Sequence, residues 1–153
     1  MTLPPDAPLV QEFFRHSLVA HVASRSAGGR PFVTPLWFTL HDGVLWVTTG
    51  FETRLAKNVA RRPEVTLLLW GEMRRRPEGA LRLRAHATRH AGLPPWGVLL
   101  RIAARYYLAP GALASEFANV RRWPLRARYY AQVDGGPAHV RLAPLDAEVV
   151  VSP

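Results

Sequence analysis

The chain has 153 residues, 48% of them apolar, which predicts a single folded domain over residues 1–153 and argues against disorder. No apolar run is long enough to cross a membrane, and no charged-then-apolar leader opens the chain. Cysteine is absent, which excludes disulfides, thiolate chemistry and cysteine metal sites; together these features predict a cytoplasmic protein without membrane contact.

The formal net charge is +9, and Lys57 is the single lysine among 20 basic residues, the others being arginine. Abundant alanine and proline accompany the arginine, so the basicity fits a genome-wide compositional bias. It fits an anionic ligand or nucleic acid equally well. Charge alone therefore does not choose between these interpretations.

A loose leader is predicted to precede a short helix at residues 8–16, where apolar residues recur at helical spacing. Residues 18–24 read as a strand that carries His21 among apolar neighbours. That setting favours a core or interface histidine over a catalytic one. After a glycine-rich turn, residues 30–40 are extended and rich in β-branched and aromatic side chains.

A tight hairpin turn is predicted at residues 41–43, because Asp and Gly tolerate the left-handed backbone that such a turn needs. Residues 44–49 form the returning strand, and a short helix follows with Thr53 as its N-cap. The predicted buried stripe of that helix is Leu55, Ala56, Val59 and Ala60. Hydroxyls and cations gather where strand and helix meet, at Thr48, Thr49, Thr53, Arg54 and Lys57. This combination with a helix start suits a phosphate monoester.

Two further strands are predicted, a buried one at residues 65–70 and an alternating one at residues 81–89. His86 and His90 are four residues apart on this second strand, a separation of about 13 Å, which makes them a poor metal pair. We therefore predict no metal site.

Helices are predicted at residues 96–108 and 112–122. In residues 121–128 arginines alternate with aromatic side chains, which either stack on bases or a planar cofactor, or pack inward while the arginines face water. Two short strands, residues 138–143 and 146–151, are predicted to close the chain with a break at Pro144.

These elements sum to a mainly β protein, with six or seven strands joined as hairpins and three or four helices. This pattern predicts an antiparallel barrel or sandwich with peripheral helices, and residues 94–128 form a helical addition to it. No hydrolase elbow, nucleotide phosphate loop or dinucleotide fingerprint is present. A redox enzyme stays possible because a bound cofactor carries its chemistry.

Residues 18–70 resemble the FMN-binding split-barrel superfamily, which includes the pyridoxamine 5′-phosphate oxidase-like proteins. The resemblance follows the order of features LVAHVAS, SAGGRP, FVTPLWFTL, HDG, VLWVTTG, TRLAKN and VTLLLW. The closing AHVRLAPLDAEVVV is similar to the last strands of the family. Residues 94–128 have no assigned counterpart.

The resemblance implies a split β-barrel homodimer with FMN at the dimer interface and a small-molecule substrate. The strand implied to border the flavin ring comprises Thr34, Pro35, Leu36, Trp37, Phe38 and Thr39, with Trp37 and Phe38 shaping the ring pocket. Thr48 and Thr49 are implied to face the ribityl chain or phosphate, and Thr53, Arg54 and Lys57 to hold the phosphate. Arg82 or Arg84 would reach across the dimer. Catalytic side chains stay unassigned.

The chain departs from the family pattern in several places. The phosphate motif usually reads Ser/Thr-Arg-Lys, whereas Leu55 stands here in place of the lysine and Glu52 replaces a small residue. Thr39 stands where the true oxidases carry a lysine, and their Arg-x-His element is absent. These departures argue against pyridoxamine phosphate oxidation.

Three alternatives stay open beside the FMN oxidoreductase. One is a deazaflavin-dependent reductase on the same fold, with residues 121–128 accepting the acidic cofactor tail. Another is haem binding through His21 or His86. The third is a non-catalytic split-barrel protein that binds nucleic acid or another anion, although nucleic acid is the less favoured partner.

Overall fold

The computed structural model describes residues 1–70, 78–107 and 135–150. Within them the chain forms eight strands and three helices. In chain order these are β1 (Thr2–Leu3), α1 (Pro8–His16), β2 (Ala20–Arg25), β3 (Pro31–Leu36), β4 (Thr39–His41), β5 (Val44–Gly50), α2 (Arg54–Arg61), β6 (Glu64–Trp70), β7 (Ala80–Ala91), α3 (Trp96–Tyr107) and β8 (Pro137–Val150). The helix predicted at residues 112–122 and the basic stretch 121–128 lie outside the described residues.

The eight strands form one antiparallel sheet in the order β3-β2-β6-β7-β8-β5-β4, with β1 paired to β8. The two edge strands β3 and β4 are consecutive in the chain, and only Trp37 and Phe38 separate them. Such a link spans no more than about 11 Å, so the two edges of the sheet come together and the sheet curls. The predicted antiparallel split barrel is confirmed.

The core lies inside the curled sheet because apolar side chains alternate along its strands. On β7 the inward residues are Leu81, Leu83, Ala85 and Ala87, as the sequence predicts. Phe13 and Phe14 of α1 and Phe38 of the edge connection join the same cluster. No described helix combines the length and apolar character needed to cross a membrane.

The hairpin between β4 and β5 turns at Asp42 and Gly43, with φ of 52° and 72°. Two consecutive residues with positive φ are the signature of a type I′ turn, whose twist matches that of the flanking strands. His41 pairs directly with Val44 across it. The predicted turn is confirmed, and it sets the register of β5.

Helix α2 buries Leu55, Ala56 and Val59 as predicted, but the prediction for Ala60 is wrong, because that residue is exposed. Ala60 lies about 100° around the helix axis from Val59 and so leaves the inward stripe. Asn58 takes the inward place instead. Its Nδ2 donates to Ser24 Oγ at 3.0 Å, which satisfies the buried amide and fastens the middle of α2 to β2.

Two predictions about the chain ends are wrong. The supposed loose leader contains β1, in which Thr2 and Leu3 pair with Glu148 and Ala147. The supposed break at Pro144 lies inside the continuous strand β8, where the register against β7 shifts. Proline lacks an N–H group and is tolerated at such a bulge, which bends the strand without ending it.

Candidate cofactor site

The N-terminal end of α2 is built by two threonines. Thr49 Oγ1 and Thr53 Oγ1 lie 2.8 Å apart, and Thr53 Oγ1 donates to the carbonyl of Gly50 at 2.9 Å. Because that bond uses the one hydroxyl proton of Thr53, Thr49 must donate to Thr53. Thr53 also accepts from the N–H of Ala56 at 3.4 Å, which confirms it as the N-cap.

Thr48 and Thr49 do not face the same site, because consecutive residues of a strand point to opposite sides. Thr49 points to the cap of α2, whereas Thr48 lies on the outer face of the barrel. There Thr48 pairs in register with His139 of β8. The structure therefore brings Thr49, Thr53 and the start of α2 together and leaves Thr48 on the neighbouring surface.

Arg54 joins this helix start to β3. Its guanidinium carbon lies 4.4 Å from the centroid of the Phe32 ring, and Phe32 belongs to β3. The side chain is exposed, and within the described residues no carboxylate pairs with it. A cation held over an aromatic face keeps its N–H groups available to an anion.

Lys57 and Glu52 compensate one another. Lys57 Nζ lies 3.5 Å from Glu52 Oε2, and both side chains are about half exposed. The carboxylate that departs from the family pattern is therefore held by a cation of the same chain. The role of Lys57 as an extra phosphate ligand stays a prediction, and it would require Lys57 to share or exchange this exposed ion pair.

Strand β3 is an edge strand with an apolar outer face. Pro31, Val33 and Pro35 are exposed, whereas Phe32, Thr34 and Leu36 are partly buried. Since β2 is its single strand neighbour among the described elements, the other edge of β3 presents backbone N–H and C=O groups. Thr34, Pro35 and Leu36 thus lie where a ring could meet a strand edge.

Tyr106 of α3 fixes the passage from β3 to β4. Its hydroxyl accepts from the N–H of Phe38 at 2.9 Å and lies within hydrogen-bond reach of the carbonyls of Leu18, at 2.7 Å, and Phe38, at 2.9 Å. The ring of Trp37 stacks on that of Tyr106 with centroids 4.5 Å apart. Trp37 is 43% exposed, so one part of its surface is held rigidly toward the outside.

The side chains of Phe38 and Thr39 are buried. Phe38 packs in the core, with Arg105 of α3 4.6 Å above its ring, and Thr39 pairs with Trp46 in the β4–β5 ladder. The expectation that Phe38 shapes a ring pocket with its side chain is therefore wrong. Its backbone stays part of the candidate strand.

Arg82 lies far from the helix start within its own chain. It is eight residues from His90 along β7, a distance of about 26 Å, and His90 is level with His139 and Thr48. Arg82 makes an ion pair with Glu148, and its neighbour Arg84 holds Asp146. The Arg84 hydrogen bond lowers the pKa of the Asp146 carboxyl.

The sequence reasoning missed two groups, one near the start of α2 and one beside Thr48. Arg89 lies 3.9 Å above the Phe51 ring and donates to the Phe51 carbonyl at 3.2 Å. The rings of Trp46, His139 and His90 follow one another on the outer face, with centroids 5.6 and 5.1 Å apart. The strand alternation places such residues on one face, but only the register of β8 against β7 and β5 shows that they meet.

His21 and His86, the candidate haem ligands, lie in separate surroundings. His21 is half-buried and packs edge-on against Trp70 at 4.7 Å, and His86 is exposed on β7. Within residues 1–70, 78–107 and 135–150 no three His, Asp or Glu side chains gather where they could hold a metal ion.

The comparisons with known proteins identify the class. Over residues 7–147 the chain matches the sequence model of the family described as pyridoxamine 5′-phosphate oxidase, and it belongs to that family. A search of curated protein sequences found no match.

Solved structures share the fold. An F420 Reductase is similar at 16% identity with a TM-score of 0.62, covering 90% of this chain and 94% of that one. A proposed pyridoxamine 5′-phosphate oxidase from Listeria innocua is similar at 16% identity and a TM-score of 0.58, covering 94% and 96%. The heme storage protein HutZ from Vibrio cholerae is similar at 19% identity and a TM-score of 0.61, covering 94% and 93%. At these identities the similarity establishes the fold alone.

Proposed function

We propose that the protein is an FMN-binding oxidoreductase that works as a homodimer and acts on a small-molecule substrate, with the cofactor between the two copies. The observation that carries this proposal is the position of Arg54 over Phe32. It makes one continuous surface of the helix start, which suits a phosphate, and strand β3, which suits a planar ring.

The donors at the start of α2 fit a phosphate. The first N–H groups of a helix have no partner within it. The N–H of Ala56 bonds Thr53 Oγ1 and that of Lys57 bonds the Thr53 carbonyl, which leaves those of Arg54 and Leu55 for a ligand. Together with the Arg54 guanidinium they give charge-assisted hydrogen bonds to a phosphate monoester.

The outer face of β3 supports a homodimer. Val33 is 63% exposed, and Pro31 and Pro35 share its face, which forms an apolar stripe on an edge strand. A second copy that covers this stripe removes it from water. In such a dimer we expect Arg82, which lies far from its own helix start, to contact the cofactor site of the partner while it is exposed and paired with Glu148.

FMN, when bound, supplies the chemistry by accepting a hydride and passing the electrons on. This chain's residues bind and orient it: the start of α2 holds the phosphate, and the rigid Trp37 and the edge of β3 border the ring. The proposal needs no catalytic side chain.

A deazaflavin is the second candidate cofactor, because one of the similar structures is an F420 Reductase and F420 is a deazaflavin. Both cofactors carry a phosphate on the chain attached to the ring system, so the start of α2 suits either. A titration of the purified protein with each cofactor, followed by absorbance and fluorescence, separates the two.

The test of the proposal is FMN binding and its loss in Arg54→Ala. A charge-assisted hydrogen bond contributes about 1.5–3 kcal/mol, so we expect FMN affinity to fall at least about 10-fold. Arg101→Ala, an exposed arginine on α3, is the matched control and should bind FMN as the unmodified chain does. Protein that is colourless and binds neither cofactor contradicts the proposal, and unchanged affinity in Arg54→Ala puts the phosphate elsewhere.

A further inference from the structure

A cavity of about 450 Å³ lies at the other end of α2. Four arginines from three separate elements line it: Arg25 ends β2, Arg61 and Arg62 end and follow α2, and Arg84 lies on β7. Its volume is in the range of pockets that bury small-molecule ligands.

The positive charge in this cavity is only partly compensated. Glu64 lines the same wall, and Arg84 holds Asp146. Arg62 donates to the carbonyl of Ala27 at 3.2 Å, a bond that fixes the side chain but leaves its charge. When Glu64 and Asp146 are set against the four guanidinium groups, an excess of two positive charges remains.

Besides Arg62, the arginines of this cavity without an ion pair to a described residue are Arg25 and Arg61. Both are exposed, and within the described residues neither has a carboxylate or carbonyl partner. Arg25 lies on a strand and Arg61 on a helix, and more than 30 residues separate them in the sequence. The fold brings both side chains to one cavity. Unpaired like charges repel one another, and a multiply charged anion relieves that repulsion.

This cavity is not the proposed cofactor site. Arg54 and Arg61 stand at opposite ends of α2, about 10 Å apart along the helix axis. Binding at this cavity therefore does not depend on FMN, and the two sites can be tested separately.

We propose that the arginine cavity binds the oligophosphate group of a small molecule, such as the triphosphate of a free nucleotide. One guanidinium group can donate two parallel hydrogen bonds to two oxygens of a phosphate. Thr66 on the wall of the cavity adds a hydroxyl group. A phosphate monoester carries about 1.5 to 2 negative charges and already comes close to balancing the excess. A diphosphate or triphosphate adds the oxygens needed to contact several separate guanidinium groups at once. Because the four arginines converge on one concave patch, a compact anion can contact several of them at once, whereas an extended nucleic-acid backbone would pass across the patch.

The experiment is calorimetric titration of the full chain with sodium tripolyphosphate and, separately, with magnesium-free ATP. We expect one binding site per chain. Arg25→Gln and Arg61→Gln should each weaken binding about 10-fold, because each removes a charge-assisted contact. Arg101→Gln removes an equal charge outside the cavity and should change the affinity less than about twofold. Unchanged thermal midpoints show that the variants are folded.

Glu64→Gln should change the affinity for tripolyphosphate in the opposite direction from the arginine variants. Removal of this carboxylate should tighten tripolyphosphate binding by about twofold to fivefold, since it takes away a repulsive charge near the ligand. Asp42→Asn removes an equal charge at the distant hairpin turn and should leave binding unchanged. Tighter binding of ATP than of tripolyphosphate identifies a nucleotide as the source, whereas equal or weaker binding identifies a free phosphate chain.

Three results overturn the proposal. The first is that neither probe binds, and the second is that Arg61→Gln and Arg101→Gln lose the same amount of affinity. The third is that a single-stranded 20-mer oligonucleotide binds through the same arginines more tightly than either probe. FMN titrations keep the two proposals apart. Arg25→Gln should leave FMN binding unchanged, and Arg54→Ala should leave tripolyphosphate binding unchanged.

Discussion

The two ends of α2 differ in how their cations are used. At the N-terminal end Arg54 lies over one aromatic ring, Arg89 lies over another, and Lys57 is paired with a carboxylate. At the C-terminal end Arg25 and Arg61 have neither kind of partner among the described residues. The N-terminal end of α2 thus carries the sequence motif that predicts phosphate binding. The C-terminal end carries no such motif, yet it has the uncompensated positive charge.

The helix dipole explains part of this difference. A helix presents partial negative charge at its C-terminus, so Arg61 in the last turn stabilises α2 without any ligand. The dipole does not explain Arg25 or Arg84, which belong to strands. The C-terminal cluster is therefore larger than the helix itself requires.

The largest expected effect tests whether the N-terminal end can regain the family's missing cation. Leu55 is buried in the core, and Leu55→Ala should lower the free energy of unfolding by about 2–5 kcal/mol. Leu55→Lys should lower it at least as much, because among the described residues no carboxylate is buried in the core to compensate an ammonium there. Urea denaturation measures both changes.

Ala60→Lys is the control for this prediction. It adds the same side chain at an exposed position of the same helix and should change the free energy of unfolding by less than about 0.5 kcal/mol. If Leu55→Lys were as stable as the unmodified chain and bound FMN more tightly, the helix would present residue 55 to the ligand. The contrast between its two ends would then disappear.

The next effect concerns Gly135, whose backbone packs closely against Glu52. Gly135 has φ of 75°, and a Cβ there would overlap the Glu52 side chain and lie 3.1 Å from its backbone N. Gly136 has φ of 81° but open space around a Cβ. Gly135→Ala should therefore destabilise the fold by about 1–3 kcal/mol more than Gly136→Ala, which shares the backbone strain alone. Equal thermal midpoints for the two variants would contradict this.

The sequence predicted the barrel well because strand alternation, turn chemistry and caps are local signals. Residues 41–43 need a left-handed turn, and the inward residues of β7 alternate without interruption. Thr53 as the N-cap follows from the same kind of signal. The predicted break at Pro144 is wrong because it relied on the local preference of proline alone. Pairing with β7 continues through this position, since a bulge accommodates the proline within a long strand.

The candidate site was predictable only in part because it depends on register and on distant partners. Nothing near Phe38 in the sequence indicates that the hydroxyl of Tyr106, 68 residues later, holds its backbone. The pairing of Lys57 with Glu52 and the meeting of Arg25 with Arg61 likewise appear only when the chain is folded. Counting cations along the sequence does not show which of them are already engaged.

A smaller effect tests whether the engaged lysine can be released. Glu52→Gln frees Lys57 and removes a carboxylate next to the start of α2. If FMN binds there, its affinity should rise about twofold to fivefold, since opposite charges at this exposed distance contribute about 1 kcal/mol. Asp42→Asn is the charge-matched control, and absorbance titration is the measurement. An unchanged affinity would mean that Lys57 is directed away from the ligand.

The smallest effect concerns pH, and it separates the histidine surface beside Thr48 from the arginine cavity by the type of basic residue that each carries. The surface next to Thr48 carries His90 and His139, whereas the C-terminal end carries arginines that stay charged at every ordinary pH. Burial, the neighbouring His139 and Arg141 lower the pKa of His90 below its usual range. The unfolded chain then binds a proton that the folded chain binds less readily.

The sign of the pH effect follows from that difference. Stability supported by neutral His90 is fully present above the ordinary histidine pKa of about 6.5 and is lost as pH falls through the lower pKa of the folded state. His90→Gln should therefore flatten the fall in the free energy of unfolding between about pH 7 and pH 5, measured by urea denaturation at each pH. Tripolyphosphate affinity at the arginine cavity should change little over the same range. A parallel loss of both would show that the histidine surface and the arginine cavity respond as one unit.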